Sequence, residues 1–516
     1  MPLLPAPLFT KQRCLTLLAA AASAERLRLL HALFETSGIL EGDKFLASEL
    51  IRAFALFPSS DGADHARLLL NRLPGPSTAA WNHVIRGYAR GCCVLRRRDS
   101  VGVFLEMHRW GRPLARPNEL TIPFVLNAAA GLADLELGRQ LHAGALKGGV
   151  GAVVYVGNAL IHLYARCSQL AEARQIFDEM PARTVVSWNS MLSAYTERSC
   201  LDESLQLFVW MRRARFEPDE TTFVVLLSAA AETSNLGLGK WVHGRLIETA
   251  VAMNVQLGTA LVDMYAKSGA IRSARRVFER MSERNVWTWS TMILGLAQHG
   301  LASEALELFD TMKRTPVEPN CVTFLGVLAA CSHGGLVDDG YRFFREMTRE
   351  HGIPARMAHY SAMVDVLGRN GRLEEAYAFV ESMPIEPDAV VWRTLVSACS
   401  IHSAADCGGV GSRARRRLLE LEPERIGNHV IVANMYAEAG LWEAAAETRK
   451  VMRDGGMKKM PGESCIAVGT SVARFVSGDD APQGHDQLCS LLASLSLNTR
   501  TETRSATDCV DLFLIG

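Results

Sequence analysis

The sequence predicts an all-α fold, a helical-repeat solenoid in which antiparallel helix pairs stack side by side. Three observations carry that expectation. The phrase Trp188-Asn189-Ser190-Met191-Leu192 returns as Trp81-Asn82-His83-Val84-Ile85, 107 residues earlier, and as Trp289-Ser290-Thr291-Met292-Ile293, 101 residues later. Gly258-Thr259-Ala260-Leu261 echoes Gly157-Asn158-Ala159-Leu160, and Leu236–His243 echoes Leu135–His142, both at 101 residues. Within each phrase the apolar residues keep helical intervals: Trp188, Met191, Leu192 and Tyr195 stand at i, i+3, i+4 and i+7. Different phrases sharing one spacing mean a compound repeat, and one helix pair cannot bury both of its apolar stripes alone.

Bulk properties agree with this and exclude other classes. The 516 residues would imply several globular domains by length, but an array has an open number of units. Hydrophobic residues make up 48% of the chain, too many for general disorder. Lys plus Arg and Asp plus Glu both number 55, so the overall field selects no partner. None of the 12 cysteines forms a C-x-x-C pair, as expected of thiols in a reducing compartment. No uninterrupted apolar stretch reaches membrane-spanning length, and no membrane partner is expected. The first 24 residues contain no acid and two bases, Lys11 and Arg13, loosely like an organellar transit peptide. Competing with that reading, Cys14-Leu15-Thr16-Leu17-Leu18 already reads as a first helix.

In chain order, residues 1–13 are a possible short targeting segment, 14–388 the array, 389–466 a pair of related motifs, and 467–516 an extension with a divergent tail. Arg13 to Asp43 reads as helix, turn, helix, with Leu29, Leu30, Ala32 and Leu33 on the second. Lys44 to Ser77 is a degenerate unit. Then follow Thr78–Asn118 with 41 residues, Glu119–Val153 with 35 and Val154–Thr184 with 31. Val185–Asp219, Glu220–Asn254 and Val255–Asn285 have 35, 35 and 31, and Val286–Asn320, Cys321–Arg356 and Met357–Asp388 have 35, 36 and 32. In Val185–Asp219 the second helix is expected to bury Leu201, Leu205, Phe208 and Met211. Pro218, Pro319 and Pro387 each stop a unit, and the Asp or Asn that follows caps the next helix.

Tetratricopeptide repeats keep a 34-residue period. The alternation found here, with units opening Val-x-Ser/Thr-Trp-Asn/Ser or Val-x-x-Gly-Asn/Thr-Ala-Leu, instead resembles the pentatricopeptide repeat family in its plant P-L-S subclass. Trp188–Met191 carries the P type, Glu220–Ala230 the L type and Gly258–Gly269 the S type. Val390–Pro423 and Asn428–Gly462 look like the family's two E motifs, and Val472–Asp479 resembles the short extension after them. Cys465 stands where a Trp is usual and Ala473 where a His is usual, and no family pattern continues from Pro482. Some members end in a DYW deaminase domain, whose zinc site needs H-x-E and C-x-x-C. None of the 14 histidines is followed by Glu two residues on, so no enzyme activity, metal or cofactor is expected.

The resemblance implies that the array reads single-stranded RNA, the fifth and last residues of a unit facing one base. Carried onto this chain, Asn82 with Asn118 implies C and Asn158 with Thr184 a pyrimidine. Asn189 with Asp219 implies U, Thr259 with Asn285 and Ser290 with Asn320 imply A, and Ser361 with Asp388 leans to G. Pro123, Val224 and Leu325 at the fifth position of the L units contribute spacing. The fourth-position tryptophans Trp81, Trp188, Trp289 and Trp392 are expected in the inter-helix core, and His142, His162 and His243 as packing residues. Arg96–Arg98 and the cluster Arg413, Arg415, Arg416 and Arg417 are open to phosphate contact or a solvated face. The implied role is a site-recognition factor for C-to-U RNA editing in a mitochondrion or chloroplast, the mitochondrion favoured, whose E motifs recruit a DYW-type deaminase or other editing factors in trans. The alternatives are a splicing, stability or translation factor, or a protein-binding scaffold of the tetratricopeptide kind.

Overall fold

A computed structural model describes residues 11–21, 23–57, 61–91, 93–110, 115–249, 251–402, 409–457, 463–468 and 471–476. The targeting segment falls largely outside these residues, as does the tail beyond 476. The chain divides into two compact units, Met1–Val366 and Leu367–Gly516. That division falls within the helix Met357–Arg369, ahead of the expected end of the array at 388.

The first unit is built of helix pairs in the predicted order. Short elements Lys11–Ala19, Ala24–Thr36 and Ile39–Gly42 lead into Lys44–Leu56 with Gly62–Arg72 and Thr78–Ala89 with Val94–Trp110. Thr121–Leu132 then pairs with Leu135–Lys147, Val154–Arg166 with Leu170–Glu179, and Val185–Thr196 with Leu201–Arg213. Glu220–Glu232 with Leu236–Glu248, Val255–Lys267 with Ile271–Arg280, Val286–Gln298 with Ala302–Lys313, and Cys321–Gly334 with Val337–Arg345 complete the series. Each first helix packs along the first helix of the next pair, and most second helices wedge between successive first helices. The core is therefore continuous along the array, each pair covering the stripe that its neighbour cannot cover alone.

The first helices bury what their stripes predict: Trp188, Met191, Leu192 and Tyr195 are all inside. The second helix of that pair is offset from its expected line. Its buried residues are Ser204, Leu207, Phe208 and Met211, with Leu201 and Leu205 only half-buried. This helix also meets the neighbouring second helices, Phe208 edge-on to Trp241 at 5.9 Å and Trp210 beneath Arg174 at 4.8 Å, so its buried face is rotated from the line that one neighbour would select. Near the start of the chain, Leu27, Leu30 and Phe34 face the core of Ala24–Thr36, while Leu29 and Leu33 lie exposed.

Unit length has local causes. The short units carry Gly157 and Gly258 where Val185–Asp219 and Val286–Asn320 carry tryptophan, and a Cβ on Gly258 would meet the Met281 methyl at 2.5 Å. The 36-residue unit holds its extra residue in a π-helical turn, Glu346–Glu350, the form that absorbs one insertion without breaking the helix. Arg198 and His299 each reach back to cap the preceding unit's first helix, donating to Ala165 O at 3.1 Å and lying 2.8 Å from Ala266 O.

The second unit continues with Leu373–Glu381, Ala389–Ile401, Val410–Leu421, Ile426–Glu438 and Trp442–Asp454. An antiparallel hairpin follows, Glu463–Val468 paired with Ser471–Val476 in the register Glu463↔Val476 to Val468↔Ser471. It adds a small β element to the all-α expectation, within the segment read as E motif and extension.

Candidate nucleic-acid interface

The fifth residue of a unit stands on the second turn of its first helix. The last residue caps the first helix of the next unit, and packing of those two helices brings the residues together. Asn82 Nδ2 donates to Asn118 Oδ1 at 3.2 Å, Asn189 Nδ2 to Asp219 Oδ1 at 2.9 Å, and Ser290 Oγ to Asn320 Oδ1 at 3.3 Å. Thr259 and Asn285 are joined through one intermediary: Thr259 Oγ1 lies 2.7 Å from Thr288 Oγ1, which donates to Asn285 Oδ1 at 3.0 Å. Four of the six predicted pairs are thus hydrogen-bonded units, directly or through one hydroxyl.

The other two differ. Asn158 Oδ1 is buried with no partner among the described residues, and Thr184 turns instead to Ser187, whose hydroxyl accepts from its backbone N–H. Ser361 belongs to the first compact unit and Asp388 to the second, where Asp388 caps Ala389–Ile401 through the amides of Val390 and Val391.

The electrostatics fix what each pair presents. Burial alone would raise the Asp219 pKa, yet the Thr222 amide, the Asn189 amide group and the Thr222 hydroxyl outweigh it and hold the carboxyl below its usual range. Asp219 is therefore an anion at neutral pH and accepts hydrogen bonds only. Asn118 Oδ1 is likewise occupied by the amides of Leu120 and Thr121, which turns its NH2 group away from the cap. Asn189–Asp219 then has an N–H and a carboxylate oxygen to spare, whereas Asn82–Asn118 has donors on both residues.

Two sets of positions escaped the sequence reading. Leu120, Tyr155, Val186 and Trp287, the second residues of their units, are each about half exposed or more. They are flat or apolar surfaces beside the polar pairs, and the available signal was an apolar residue standing one place off the buried stripe. The third residues Thr121, Thr222, Thr288 and Thr323 are completely buried and bonded into the pairs.

The tryptophans at the fourth position are buried, Trp188 edge-on to Phe177 at 4.9 Å and Trp289 edge-on to Phe278 at 5.0 Å. His142 and His243 pack as expected, their Nδ1 atoms 3.0 and 2.9 Å from the hydroxyls of Tyr164 and Tyr265. His162 does not: it is exposed on the helix face it shares with Tyr155 and Asn158. Both arginine groups are largely engaged. Arg96 binds Asp64, Arg97 donates to Gly91 O and Gly131 O, Arg415 is buried, and Arg416 and Arg417 pair with Glu420. Burial pushes the Cys331 thiol up to about 12, which leaves it unreactive. Among the described residues no group of three or more His, Cys, Asp or Glu side chains could hold a metal, and no helix is long and apolar enough to cross a membrane.

Comparison with known proteins places this geometry. The PPR repeat model matches residues 158–185, 259–286, 322–351 and 358–386, the PPR repeat family model 183–232 and 284–333, and the E motif model 409–467. A pentatricopeptide repeat-containing protein of Arabidopsis thaliana is 50% identical over 93% of this chain and 94% of its own length. A chloroplastic one from the same plant is 36% identical over 85% of this chain, which spans only 53% of that relative. Among solved structures, the pentatricopeptide repeat protein PPR10 in complex with an 18-nt psaJ RNA element aligns with a TM-score of 0.61 at 19% identity. The alignment covers 84% of this chain and 64% of PPR10, and at that identity it establishes the fold. The chain belongs to the pentatricopeptide repeat family and carries an E motif after its repeats.

Proposed function

We propose that this protein binds single-stranded RNA in a plant organelle, reading one base per polar pair, and specifies sites of C-to-U editing by recruiting a deaminase through its E motifs. The observation that carries the reading is the recurrence of bonded polar pairs at matched positions of successive units. Asn189–Asp219 offers a donor beside an acceptor, the complement of uracil's carbonyl oxygen and N3–H. Asn82–Asn118 offers two donors, the complement of O2 and N3 of cytosine. Thr259 and Ser290 are shorter than asparagine and leave room for a purine, with the Asn285 and Asn320 amides donating to N1 of adenine. Asp388 accepts from N1–H of guanine, and Asn158 with Thr184 takes a pyrimidine. Side chains at the second position supply surfaces for bases to stack on.

Support for the RNA class comes from PPR10, whose structure holds an RNA element, and support for an organelle from relatives named chloroplastic or mitochondrial. The test is deep sequencing of mitochondrial and plastid transcripts from plants lacking the protein. Loss of conversion at one or a few cytidines, downstream of a sequence with the C, U, A, A order, is the expected result. Full editing with an altered intron or transcript end would replace the editing role by splicing or stability. An unchanged transcriptome, together with no RNA affinity of the purified chain, would refute RNA binding.

A further inference from the structure

We propose that the buried hydroxyl at the third position of the following unit, on Thr121, Thr222, Thr288 and Thr323, is a positioning group that fixes which hydrogen-bonding edge each polar pair shows to its base. The proposal rests on the RNA-reading function above. These threonines are fully buried, so they act through the readers rather than on RNA. Thr222 Oγ1 accepts the Asp219 N–H at 3.2 Å, and lies 2.7 Å from Asn189 Oδ1 and 2.9 Å from Asp219 Oδ1. Thr121 repeats this, 2.7 Å from Asn82 Oδ1 and 2.9 Å from Asn118 Oδ1. Thr288 and Thr323 lie 2.7 Å from the hydroxyls of Thr259 and Ser290.

Helix capping accounts for only part of these contacts: Thr222 with Asp219 and Thr323 with Asn320 close reciprocal capping boxes, but a cap needs no third-position hydroxyl. The Asn254 side chain caps its helix through Leu257 N at 3.0 Å, and Asp388 caps through Val391 N at 3.1 Å, with no hydroxyl at the third position of either helix. What the threonines add is the bond to a reader on the neighbouring helix. Their distribution follows that role. Units with Asn82, Asn158, Asn189, Thr259 or Ser290 at the fifth position are followed by Thr121, Ser187, Thr222, Thr288 and Thr323. Units with Pro123, Val224 or Leu325 are followed by Val156, Leu257 and His359, and Ser361 alone among polar readers is followed by an apolar residue, Val391. Ser187 supplies a comparison inside the chain. Its hydroxyl stays with Thr184, and Asn158 Oδ1 is left buried without a partner among the described residues.

The chemistry follows from counting protons. An asparagine amide can turn over and exchange donor for acceptor at its edge. With Oδ1 of Asn189 held inward by the Thr222 hydroxyl and one Nδ2 hydrogen on Asp219, only the second N–H remains for a base. Without the hydroxyl, Oδ1 is a buried acceptor with no donor, and the side chain gains by leaving that orientation.

The experiment selects RNAs from a random single-stranded pool with the full-length chain and compares base preference at each nucleotide. Thr222→Val, nearly isosteric, is expected to cut the preference for uracil over cytosine about tenfold at the nucleotide facing Asn189, the scale of one base-edge contact. Other nucleotides keep their preferences, and Thr222→Ser retains the wild-type one. Thr288→Val is the second copy of the test, acting only at the nucleotide facing Thr259, and it decides the matter should Thr222→Val fail to fold by circular dichroism. An affinity loss spread evenly over all sequences, with each preference intact, would overturn the inference and leave RNA reading in place. A wild-type chain with no base preference anywhere would overturn RNA reading, and this inference with it.

Discussion

Replacing Asp219 by asparagine changes one hydrogen-bonding atom in the candidate interface. Asp219 Oδ1 accepts from Thr222 N and from Asn189 Nδ2, both at 2.9 Å, and an asparagine oxygen can hold both bonds. Asn118 and Asn320 do so in this same chain, accepting from Thr121 N at 3.1 Å and Thr323 N at 3.0 Å. Asparagine and aspartate are equal helix caps, so the stability change should be about 1 kcal/mol or less. The second oxygen, an obligate acceptor while Asp219 is ionised, becomes an NH2 group. The pair then matches Asn82–Asn118, and its preference should pass from uracil to cytosine. A base-edge contact discriminates by about 1–3 kcal/mol, roughly five- to 150-fold in relative affinity. Filter-binding titrations with two RNAs differing only at the facing nucleotide measure the ratio. A ratio unchanged within twofold, with a normal melting curve, would sink the claim that Asp219 faces a base.

Further outcomes follow from the same geometry. Trp287→Ala should weaken RNA binding by about 1–3 kcal/mol, one stacked base, and barely move the melting temperature, since this side chain is 56% exposed. Trp289→Ala, two residues on but only 5% exposed, should destabilise the array by about 3–5 kcal/mol, which urea titration reads directly. If the two variants behave alike, the division between core and interface is wrong. Asp219 also shapes the acid limb of stability. Its folded pKa is depressed, so its contribution is complete above about pH 4, its unfolded value, and fades as pH falls through the lower folded value. Unfolding midpoints measured between neutral and acidic pH should therefore drop less steeply for Asp219→Asn than for the wild type.

The periodic part of this fold was legible because repetition averages out local ambiguity. Trp81, Trp188 and Trp289 share one position, and one packing solution serves all three. The polar pairs were legible through resemblance, since nothing in the sequence alone says that Asn189 and Asp219, thirty residues apart, touch. What escaped depends on two neighbours at once. Leu201–Arg213 packs on its own first helix and on neighbouring second helices, so a single-helix stripe misjudged Leu201 and Leu205 against Ser204 and Leu207. Thr222 drew no reading of its own, because its bond to Asn189 crosses to another helix. The bases of Arg96 and Arg97 looked free because Asp64 and the Gly131 carbonyl are remote in sequence. The hairpin at Glu463–Val476 lay within a segment too short and mixed in pattern to announce strands.

The unit after the last predicted reader shows where base reading should stop. Arg393 occupies the fifth position of Ala389–Ile401, where the six predicted reading units hold an amide or hydroxyl. It donates to Glu422 at 2.5 Å and to Asn428 Oδ1 at 3.1 Å, while Asn428 Nδ2 donates to the same Glu422 at 2.9 Å. Asn428 is the third residue of Ile426–Glu438, so the three-way contact seen around Asn189 is rebuilt here around an ion pair. Asn428, then Arg425 and Arg393, hold the Glu422 carboxyl below its usual range, and it stays charged at neutral pH. With cation and anion satisfying each other, a base edge would have to compete with a formed salt bridge. Arg393→Ala should therefore lower the melting temperature of the chain, because Asn428 Oδ1 loses its donor and Glu422 keeps only Arg425 as an ion-pair partner among the described residues. It should leave base preference at every nucleotide unchanged. A shifted preference at any nucleotide would extend the reading face into the E motifs.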